Sequence, residues 1–217
     1  MNKKFLIPAV GIFLVCLFAI AAYVDQSRSG AGGSEAVEQA SSLKRYYSPT
    51  TGDVDAKVTI VEFFDPACET CKSFHPFVKK LMAANPGKIN LVMRYAPFHQ
   101  RSDYVVKILE AAKLQDKYWE TLEEVYAAQP LWAQHGNPQP EKLWEVLGYT
   151  GLDLDRAKKD MQSLSIAKHI QQDLDDAQQL GVTKTPGFFV NGKPLVNFGY
   201  KQLQRLVESE VNSKYPG

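Results

Sequence analysis

The sequence predicts a mixed α/β domain in which strands at both ends of the folded region flank a block of helices. Two segments, Val58–Phe64 (VTIVEFF) and Ile89–Tyr95 (INLVMRY), are rich in β-branched and aromatic residues, as buried strands are. Between residues 102 and 180, apolar residues recur at helical spacing. Near the C-terminus, Asn191-Gly192 separates two short apolar segments, which indicates a β-hairpin.

The N-terminal segment is expected to direct the chain to a membrane. Two lysines precede an uncharged run over residues 5–24, and twenty helical residues span about 30 Å, enough to cross a bilayer. Residues 1–24 are therefore expected to be a transmembrane anchor or a signal segment, and the lysines on the N-terminal side predict that the remainder is exported. The domain would then face the outside of the inner (plasma) membrane, or be soluble in the periplasm if the segment is cleaved.

A flexible linker and one folded domain are expected after this segment. Residues 25–42 are polar and rich in Gly and Ser, which is typical of a flexible coil, and the folded domain is predicted over residues 43–217. The chain of 217 residues is 45% hydrophobic with a net charge of +1. It can therefore build one sizeable core, and it lacks the basic bias of a nucleic-acid-binding protein.

A Cys-x-x-Cys pair, Cys68 and Cys71, lies where the first strand gives way to a helix. At a helix N-terminus the unpaired N–H groups and the helix dipole favour the thiolate of Cys68 over the thiol. Cys71, one turn further along, can attack a mixed disulfide formed at Cys68. The pair is therefore predicted to cycle between a dithiol and a disulfide.

Two other uses of the pair are weaker. A zinc site needs four ligands, and the rest of the chain offers only Cys16 and four scattered histidines, so no metal site is predicted. A purely structural disulfide would close a very small loop and would gain little from chain entropy.

The remaining elements follow in order from local patterns. Ser102 is a candidate N-cap for the first helix of the block, and Gln129-Pro130 is expected to break the helical pattern. Gly181 suits a left-handed helix end. The predicted elements are helices from 102 to about 126, from 141 to 147 and from 153 to 180 with a candidate interruption at 163–165, strands at 187–190 and 193–198, and a closing helix at 200–212.

These residues resemble the DsbA-like branch of the thioredoxin superfamily. The resemblance covers about residues 48–211 and rests on the Cys-x-x-Cys pair together with residues 62–65 (EFFD), 94–97 (RYAP) and 181–192 (GVTKTPGFFVNG). It implies a thioredoxin fold with a helical insertion at about 102–180. It also implies a thiol:disulfide oxidoreductase without a bound cofactor, which acts on protein thiols or disulfides and exchanges electrons with a redox partner protein that the sequence does not identify.

The resemblance assigns roles to residues outside the pair. Thr185 and Pro186 correspond to a cis-proline loop beside the dithiol, where an extended substrate can pair as an added strand. Glu62 corresponds to a buried acid that relays a proton to or from the second cysteine. Asp65 also matches the family, and because acids are good turn formers its expected role is first structural.

The two residues between the cysteines depart from the strongly oxidising members of the family. Those members have a Pro-His pair, whereas this chain has Glu69 and Thr70. The negative charge of Glu69 is expected to oppose the Cys68 thiolate, which makes both residues candidates for redox tuning. The direction of electron flow, as oxidase, reductase or isomerase, stays open.

Two alternative functions also stay open. The chain could be a thioredoxin-fold binding or holdase module whose cysteines form a stable disulfide without turnover. It could also be a metallochaperone that uses the dithiol. An insulin-reduction assay distinguishes the first from an oxidoreductase, and metal retention after purification reveals the second.

Overall fold

The computed structural model describes residues 41–216, and in this part of the chain a five-stranded sheet is combined with helices. The strand order is β1-β3-β2-β4-β5, with β2 parallel to β3 and every other neighbouring pair antiparallel. The strands are β1 (Thr50–Gly52), β2 (Val58–Phe64), β3 (Ile89–Tyr95), β4 (Gly187–Val190) and β5 (Lys193–Pro194).

Residues 41–43 are helical, and the numbered helices lie between β2 and β3, between β3 and β4, and after β5. They are α1 (Glu69–Ala83), α2 (Ser102–Lys113), α3 (Tyr118–Ala127), α4 (Gln129–Trp132), α5 (Leu154–Asp160), α6 (Leu164–Gln179) and α7 (Tyr200–Lys214), with two 3₁₀ helices at Pro140–Glu145 and Leu147–Thr150. Within residues 41–216, no helix has the length and hydrophobicity needed to span a membrane. The predicted anchor and most of the predicted linker lie outside the described residues.

The central strand β2 is buried on both faces, which explains its nearly continuous apolar sequence. Successive side chains of a strand point to opposite faces. Ile60 and Phe64 accordingly pack into a core with α1, α2, α3 and α7. Val61 and Phe63 pack into a second core that includes Ala177 of α6. The predictions of a mixed α/β domain and of strands at 58–64 and 89–95 are confirmed.

Buried ion pairs attach α6 to the sheet. Arg94 of β3 is fully buried, and its guanidinium donates to Asp173 at 2.8 Å and to Asp176 at 2.6 Å. Asp176 also accepts from Arg45, and Arg94 donates to the carbonyl oxygen of Ser42. These groups hold the start of the described chain, the sheet and α6 together.

Several predicted boundaries differ from the structure. Strand β1 was not predicted, the second hairpin strand is two residues long instead of six, and a one-turn helix occupies the predicted break at Gln129. The predicted interruption near 163–165 is confirmed, because Ser163 is the N-cap of α6. The prediction of Ser102 as an N-cap is wrong: Arg101 holds that position in a left-handed conformation, and the Ser102 hydroxyl donates to the His99 carbonyl oxygen.

The topology brings three loops together at one end of the central strands. Phe64 at the end of β2 is paired with Tyr95 at the end of β3, and Phe63 is paired with Gly187 at the start of β4. The loops that follow β2 and β3 and the loop that precedes β4 therefore meet. The cysteine pair lies in the first of these loops and in the helix that follows it.

Candidate active site

Cys68 is the N-cap of α1 and lies beside the loop that precedes β4. Its backbone is extended, and its sulfur accepts a hydrogen bond from the backbone N–H of Cys71, with an N to Sγ distance of 3.4 Å. The Cys68 sulfur lies 3.4 Å from the Thr185 carbonyl oxygen, to which it donates a hydrogen bond when it is protonated. Cys68 is 7% exposed, Cys71 is fully buried, and both are free thiols. Cys68 is thus the cysteine that a substrate can reach.

The surroundings lower the pKa of Cys68 to about 5. The largest cause is a hydrogen bond from the Cys71 thiol to the Cys68 sulfur, which favours the thiolate. Burial opposes this effect, and the Thr185 side chain and the backbone N–H groups of Cys71 and Thr70 lower the pKa further. Cys68 is therefore a thiolate at neutral pH, which is the nucleophilic form.

Cys71 has the opposite character. Its pKa is raised well above the ordinary value, first by burial, then by the hydrogen bond to Cys68, and then by the negative charges of Glu62 and Cys68. The backbone N–H of Asp65 favours the Cys71 thiolate and lowers the pKa in part. At neutral pH the site therefore pairs one thiolate with one thiol.

Glu62 is the buried acid of the site. It is 1% exposed on β2, and neither carboxyl oxygen has a hydrogen-bond partner within residues 41–216. Its pKa is raised to about 8, first by burial and then by the negative charge of Cys68. At neutral pH Glu62 is thus an uncharged acid that still holds a proton. The burial inferred from the resemblance is confirmed.

The loop before β4 has the conformation that the resemblance implied, because the Thr185–Pro186 peptide bond is cis. A groove of about 510 Å³ runs along this loop, and Thr70 lines it from α1. Its lining includes two exposed apolar side chains, Val196 at 84% exposure and Phe198 at 50% exposure.

The two residues between the cysteines face different surroundings. Thr70 is exposed at the groove, and its backbone N–H favours the Cys68 thiolate. The Glu69 side chain is 79% exposed, and its carboxylate lies 3.7 Å from His135 of the helical insertion. The role of Glu69 in redox tuning stays a prediction, and its exposure in water limits the charge effect.

Asp65 and His99 form a part of the site that the sequence reasoning did not recognise. Asp65 is fully buried, and its carboxylate accepts from the backbone N–H of His99 at 2.7 Å and from the His99 ring Nδ1 at 2.8 Å. The two residues are 34 positions apart, so no local pattern links them. The available signal was an acid that directly follows a buried strand and comes three residues before a cysteine.

The described residues offer no cluster for a metal ion. Within residues 41–216, no group of three or more His, Cys, Asp or Glu side chains is placed to hold one. The structure instead brings together Cys68, Cys71, Glu62 and the Thr185–Pro186 loop, while Glu69 lies towards solvent.

Comparisons with known proteins agree with this geometry. Residues 44–209 match the family described as Thioredoxin. Disulfide bond formation protein D of Bacillus subtilis is 26% identical over 199 residues, covering 84% of this chain and 84% of that protein. The crystal structure of oxidised BdbD from Bacillus subtilis superposes with a TM-score of 0.69 at 25% identity, covering 78% of this chain and 96% of that chain. A thioredoxin-like oxidoreductase from Silicibacter pomeroyi DSS-3 gives a TM-score of 0.67 at 29% identity, covering 78% of this chain and 95% of that chain.

Proposed function

The chain belongs to the thioredoxin family and is a DsbA-like thiol:disulfide oxidoreductase, and we propose that it exchanges disulfides with extracytoplasmic proteins through Cys68. The observation that carries this proposal is the environment of Cys68. Its sulfur caps α1, lies 3.4 Å from the Thr185 carbonyl oxygen, and has a pKa of about 5. A sulfur in this environment is a nucleophile and a good leaving group at neutral pH.

In the oxidising direction a substrate thiolate attacks the Cys68 sulfur of the Cys68–Cys71 disulfide. The Cys71 sulfur leaves with the electron pair and takes up a proton, and a second substrate thiolate then displaces Cys68 as a thiolate. The substrate gains a disulfide and loses two electrons, which the dithiol retains until a redox partner removes them. In the reducing direction the same steps run backwards, starting with attack by the Cys68 thiolate.

Glu62 is the proposed proton relay for Cys71. Cys71 must gain or lose a proton in each half of the cycle, because its pKa lies well above neutral pH. Glu62 is a buried acid with a pKa of about 8 and with both oxygens unpaired in the described part of the chain. A group with this pKa can donate and accept a proton near neutral pH, which is the property a general acid–base needs.

The proposed substrate site is the Thr185–Pro186 loop with its adjoining groove. The Thr185 carbonyl oxygen already lies beside the Cys68 sulfur, so a peptide that pairs with this loop would bring its own sulfur to Cys68. The apolar side of the groove, at Val196 and Phe198, would then accept apolar side chains of an unfolded or extended protein segment.

The proposed location is the extracytoplasmic side of the plasma membrane. It is supported by the two lysines and the uncharged run at residues 5–24, which would anchor the domain if the segment is retained. A reporter enzyme that is active only outside the cytoplasm, fused after residue 42, tests the export. Carbonate extraction of the full chain then distinguishes an anchored protein from a released one.

Matched cysteine variants test the activity itself. Cys68→Ser is expected to abolish insulin reduction, whereas Cys71→Ser is expected to accumulate mixed disulfides with substrates, because Cys68 can attack but nothing resolves the adduct. Non-reducing electrophoresis and mass spectrometry identify the adducts and the cysteine that carries them. Adducts through Cys71, or a wild-type protein that binds unfolded insulin without reducing it, would contradict the proposal.

A further inference from the structure

Five buried side-chain oxygens without a hydrogen-bond partner within residues 41–216 face one core. They are the two carboxyl oxygens of Glu62 and the hydroxyl oxygens of Tyr118, Thr121 and Tyr126. A sixth such oxygen in this part of the chain belongs to Asn90, which points to the other side of the sheet. Buried polar groups in native proteins are paired with protein atoms or with ordered water. Unpaired oxygens concentrated in one core therefore indicate a site for ordered water.

Glu62 points into this core because side chains alternate along β2. Ile60 and Phe64, two residues before and after it, both belong to the core formed with α1, α2, α3 and α7. On the neighbouring strands Glu62 is paired with Met93 and Phe188, and neither side chain donates a hydrogen bond. A partner for the Glu62 carboxyl must therefore come from the helices that cover the sheet or from water held beneath them.

The three hydroxyl groups form a row along the buried face of α3. Tyr118, Thr121 and Tyr126, here called the hydroxyl row, are all among the buried residues of this helix. At a rise of 1.5 Å per residue they extend over about 12 Å of the helix axis. The row therefore runs along most of α3, from its first residue almost to its last.

At one end the hydroxyl row reaches the active site. The Tyr126 ring centroid lies 5.3 Å from that of His75, which comes one helical turn after Cys71 on α1. It also lies 6.4 Å from the ring centroid of Phe64, which is two residues from Glu62 on the same face of β2. Tyr126 therefore lies in the part of the core that holds Glu62 and Cys71.

At the other end the hydroxyl row reaches solvent through a surface cavity of about 540 Å³. Tyr118 lines this cavity together with the exposed Asp116 and the buried Glu110. The Glu110 carboxylate accepts from the Tyr95 hydroxyl at 2.8 Å and from the Lys113 ammonium at 2.5 Å. This end therefore combines access to bulk water with charged groups that bind water.

We propose that ordered water held by the hydroxyl row connects Glu62 to the cavity at Glu110 and carries the Cys71 proton between the dithiol and solvent. The route rests on the proposed exchange reaction and specifies where the proton of that reaction goes. In the resolving step Glu62 releases a proton into the water of the row and then receives the proton of the Cys71 thiol. The Cys71 thiolate attacks the Cys68 sulfur of the mixed disulfide, and the substrate thiolate leaves. The net result is one proton delivered to solvent, with Glu62 unchanged.

The hydroxyl row keeps its own protons during this transfer. Burial raises the pKa of Tyr118 and of Tyr126 well above the ordinary value, and the charge of Glu62 contributes to both shifts. A protonated hydroxyl can donate to one water molecule and accept from another. The other titratable groups at this core and at the cavity, all unchanged in the row variants below, are Cys68, Cys71, His75 with its partner Glu123, Tyr95, Glu110, Lys113, Asp116 and His169.

Infrared spectroscopy of the reduced full-length protein tests whether the Glu62 carboxyl is hydrated. Its carbonyl stretch is assigned as the band that disappears in Glu62→Gln. We expect this band at the lower frequency of a hydrogen-bonded carboxylic acid, and we expect it to move to higher frequency in Tyr126→Phe. A band at the frequency of a free carboxylic acid in the wild type would overturn the route.

Rapid mixing with oxidised glutathione tests proton transfer through the row. The Cys68 thiolate attacks glutathione disulfide and releases one glutathione thiolate, and Cys71 then displaces the second. Acid quenching and mass spectrometry give the rates at which the Cys68–glutathione adduct forms and decays. Thr121→Val and Tyr126→Phe keep the side-chain shape and remove the hydroxyl. They are expected to slow decay about fivefold or more and to raise its solvent deuterium isotope effect, while formation stays within about twofold.

Tyr104→Phe is the matched control. Tyr104 lies on α2 and packs against the same core, and its hydroxyl accepts from the Trp144 indole N–H at 2.9 Å. Its removal costs a hydrogen bond outside the row, so adduct decay and its isotope effect are expected to stay within about twofold of wild type.

Urea unfolding provides an independent check on hydration. Replacing an unpaired buried hydroxyl with a methyl group raises stability, whereas replacing a hydroxyl bound to water does not. The urea midpoint of Thr121→Val is therefore expected to equal that of wild type or to fall below it. A clear rise would mean that the hydroxyl is dry, which would overturn the route.

The outcomes separate this route from the proposed function. If the wild-type protein forms no Cys68–glutathione adduct, the exchange function itself is wrong. If the adduct forms, and its decay and isotope effect are the same in wild type, Thr121→Val and Tyr126→Phe, the exchange stands and the proton leaves by another path. Equal slowing by Tyr104→Phe would also overturn the route, because the effect would then be general destabilisation.

Discussion

The reduction potential of the Cys68–Cys71 pair is expected to change its dependence on pH near pH 5. Below the Cys68 pKa of about 5, reduction takes up two protons with two electrons, whereas above it Cys68 stays a thiolate and only Cys71 takes a proton. Each proton changes the potential of a two-electron couple by about 30 mV per pH unit. The slope is therefore expected to be about −60 mV per pH unit below pH 5 and about −30 mV per pH unit from there to neutral pH.

The magnitude of the stabilisation follows from the same pKa. Because the pKa of Cys68 is depressed from 9.0 to about 5, the extra stability of the reduced folded state is absent below pH 5 and grows as the pH rises towards 9.0. At pH 7 the difference is about two pH units at about 1.36 kcal/mol each, or about 3 kcal/mol. This corresponds to a potential about 60 mV more oxidising than that of a pair with ordinary thiols.

The assay equilibrates the protein with mixtures of reduced and oxidised glutathione at several pH values on both sides of pH 5, traps the thiols with acid, and counts them by alkylation and mass spectrometry. The ultraviolet absorbance of the thiolate gives the Cys68 pKa independently, with Cys68→Ser as the blank. A slope of about −60 mV per pH unit that continues to neutral pH would refute the reasoning, because Cys68 would then titrate with an ordinary pKa.

Three further predictions concern the buried carboxyl of Glu62, the exposed carboxylate of Glu69 and the buried guanidinium of Arg94. Glu62→Gln is expected to remove the inflection near pH 8 from the pH–rate profile of exchange, and an unchanged profile would contradict the relay. Because the pKa of Glu62 is raised from 4.5 in the unfolded chain to about 8 in the folded protein, the wild type loses stability relative to Glu62→Gln as the pH rises above 4.5. In urea unfolding this relative gain of the variant is expected to reach about 3 kcal/mol at pH 7. Glu69→His is expected to make the potential more oxidising by about 20 mV or less, because the side chain is 79% exposed; a much larger shift would mean that this carboxylate approaches Cys68. Arg94→Met is expected to cost about 3–5 kcal/mol in chemical denaturation, because two buried carboxylates lose their guanidinium partner; a cost below about 1 kcal/mol would contradict this account.

The parts of the fold that the sequence predicted are those with a local physical cause. A strand buried on both faces is made mostly of apolar residues, so Val58–Phe64 and Ile89–Tyr95 were visible as strands. The change from a strand to a helix at Cys68 was visible because the apolar residues that follow recur at helical spacing. Strand β1 was not, because its three residues (TTG) carry no apolar alternation, and it forms by antiparallel pairing with the distant β3.

The parts of the site that the sequence did not predict depend on contacts between distant positions. A charged residue inside an apolar strand, Arg94, suggests an unusual environment, but its partner Asp173 lies 79 positions away. The contact between Asp65 and His99 likewise joins two loops. The first pair depends on how α6 packs against β3, and the second depends on the register of β2 and β3, and a single sequence specifies neither.

In the proposed exchange reaction, the difference between the two cysteines determines the order of the steps. Cys68 is partly accessible and a thiolate at neutral pH, so it meets the substrate first. Cys71 is fully buried and a thiol, so it reacts only with a sulfur already bound to Cys68. Because the Cys71 thiol itself makes the largest contribution to the low pKa of Cys68, proton loss from Cys71 removes that hydrogen bond at the moment when Cys68 becomes the electrophile. The proton on Cys71 therefore favours the first step and must leave for the second. The proposed acceptor is the ionised form of Glu62, which is the minor form at neutral pH and becomes the major form above its pKa of about 8.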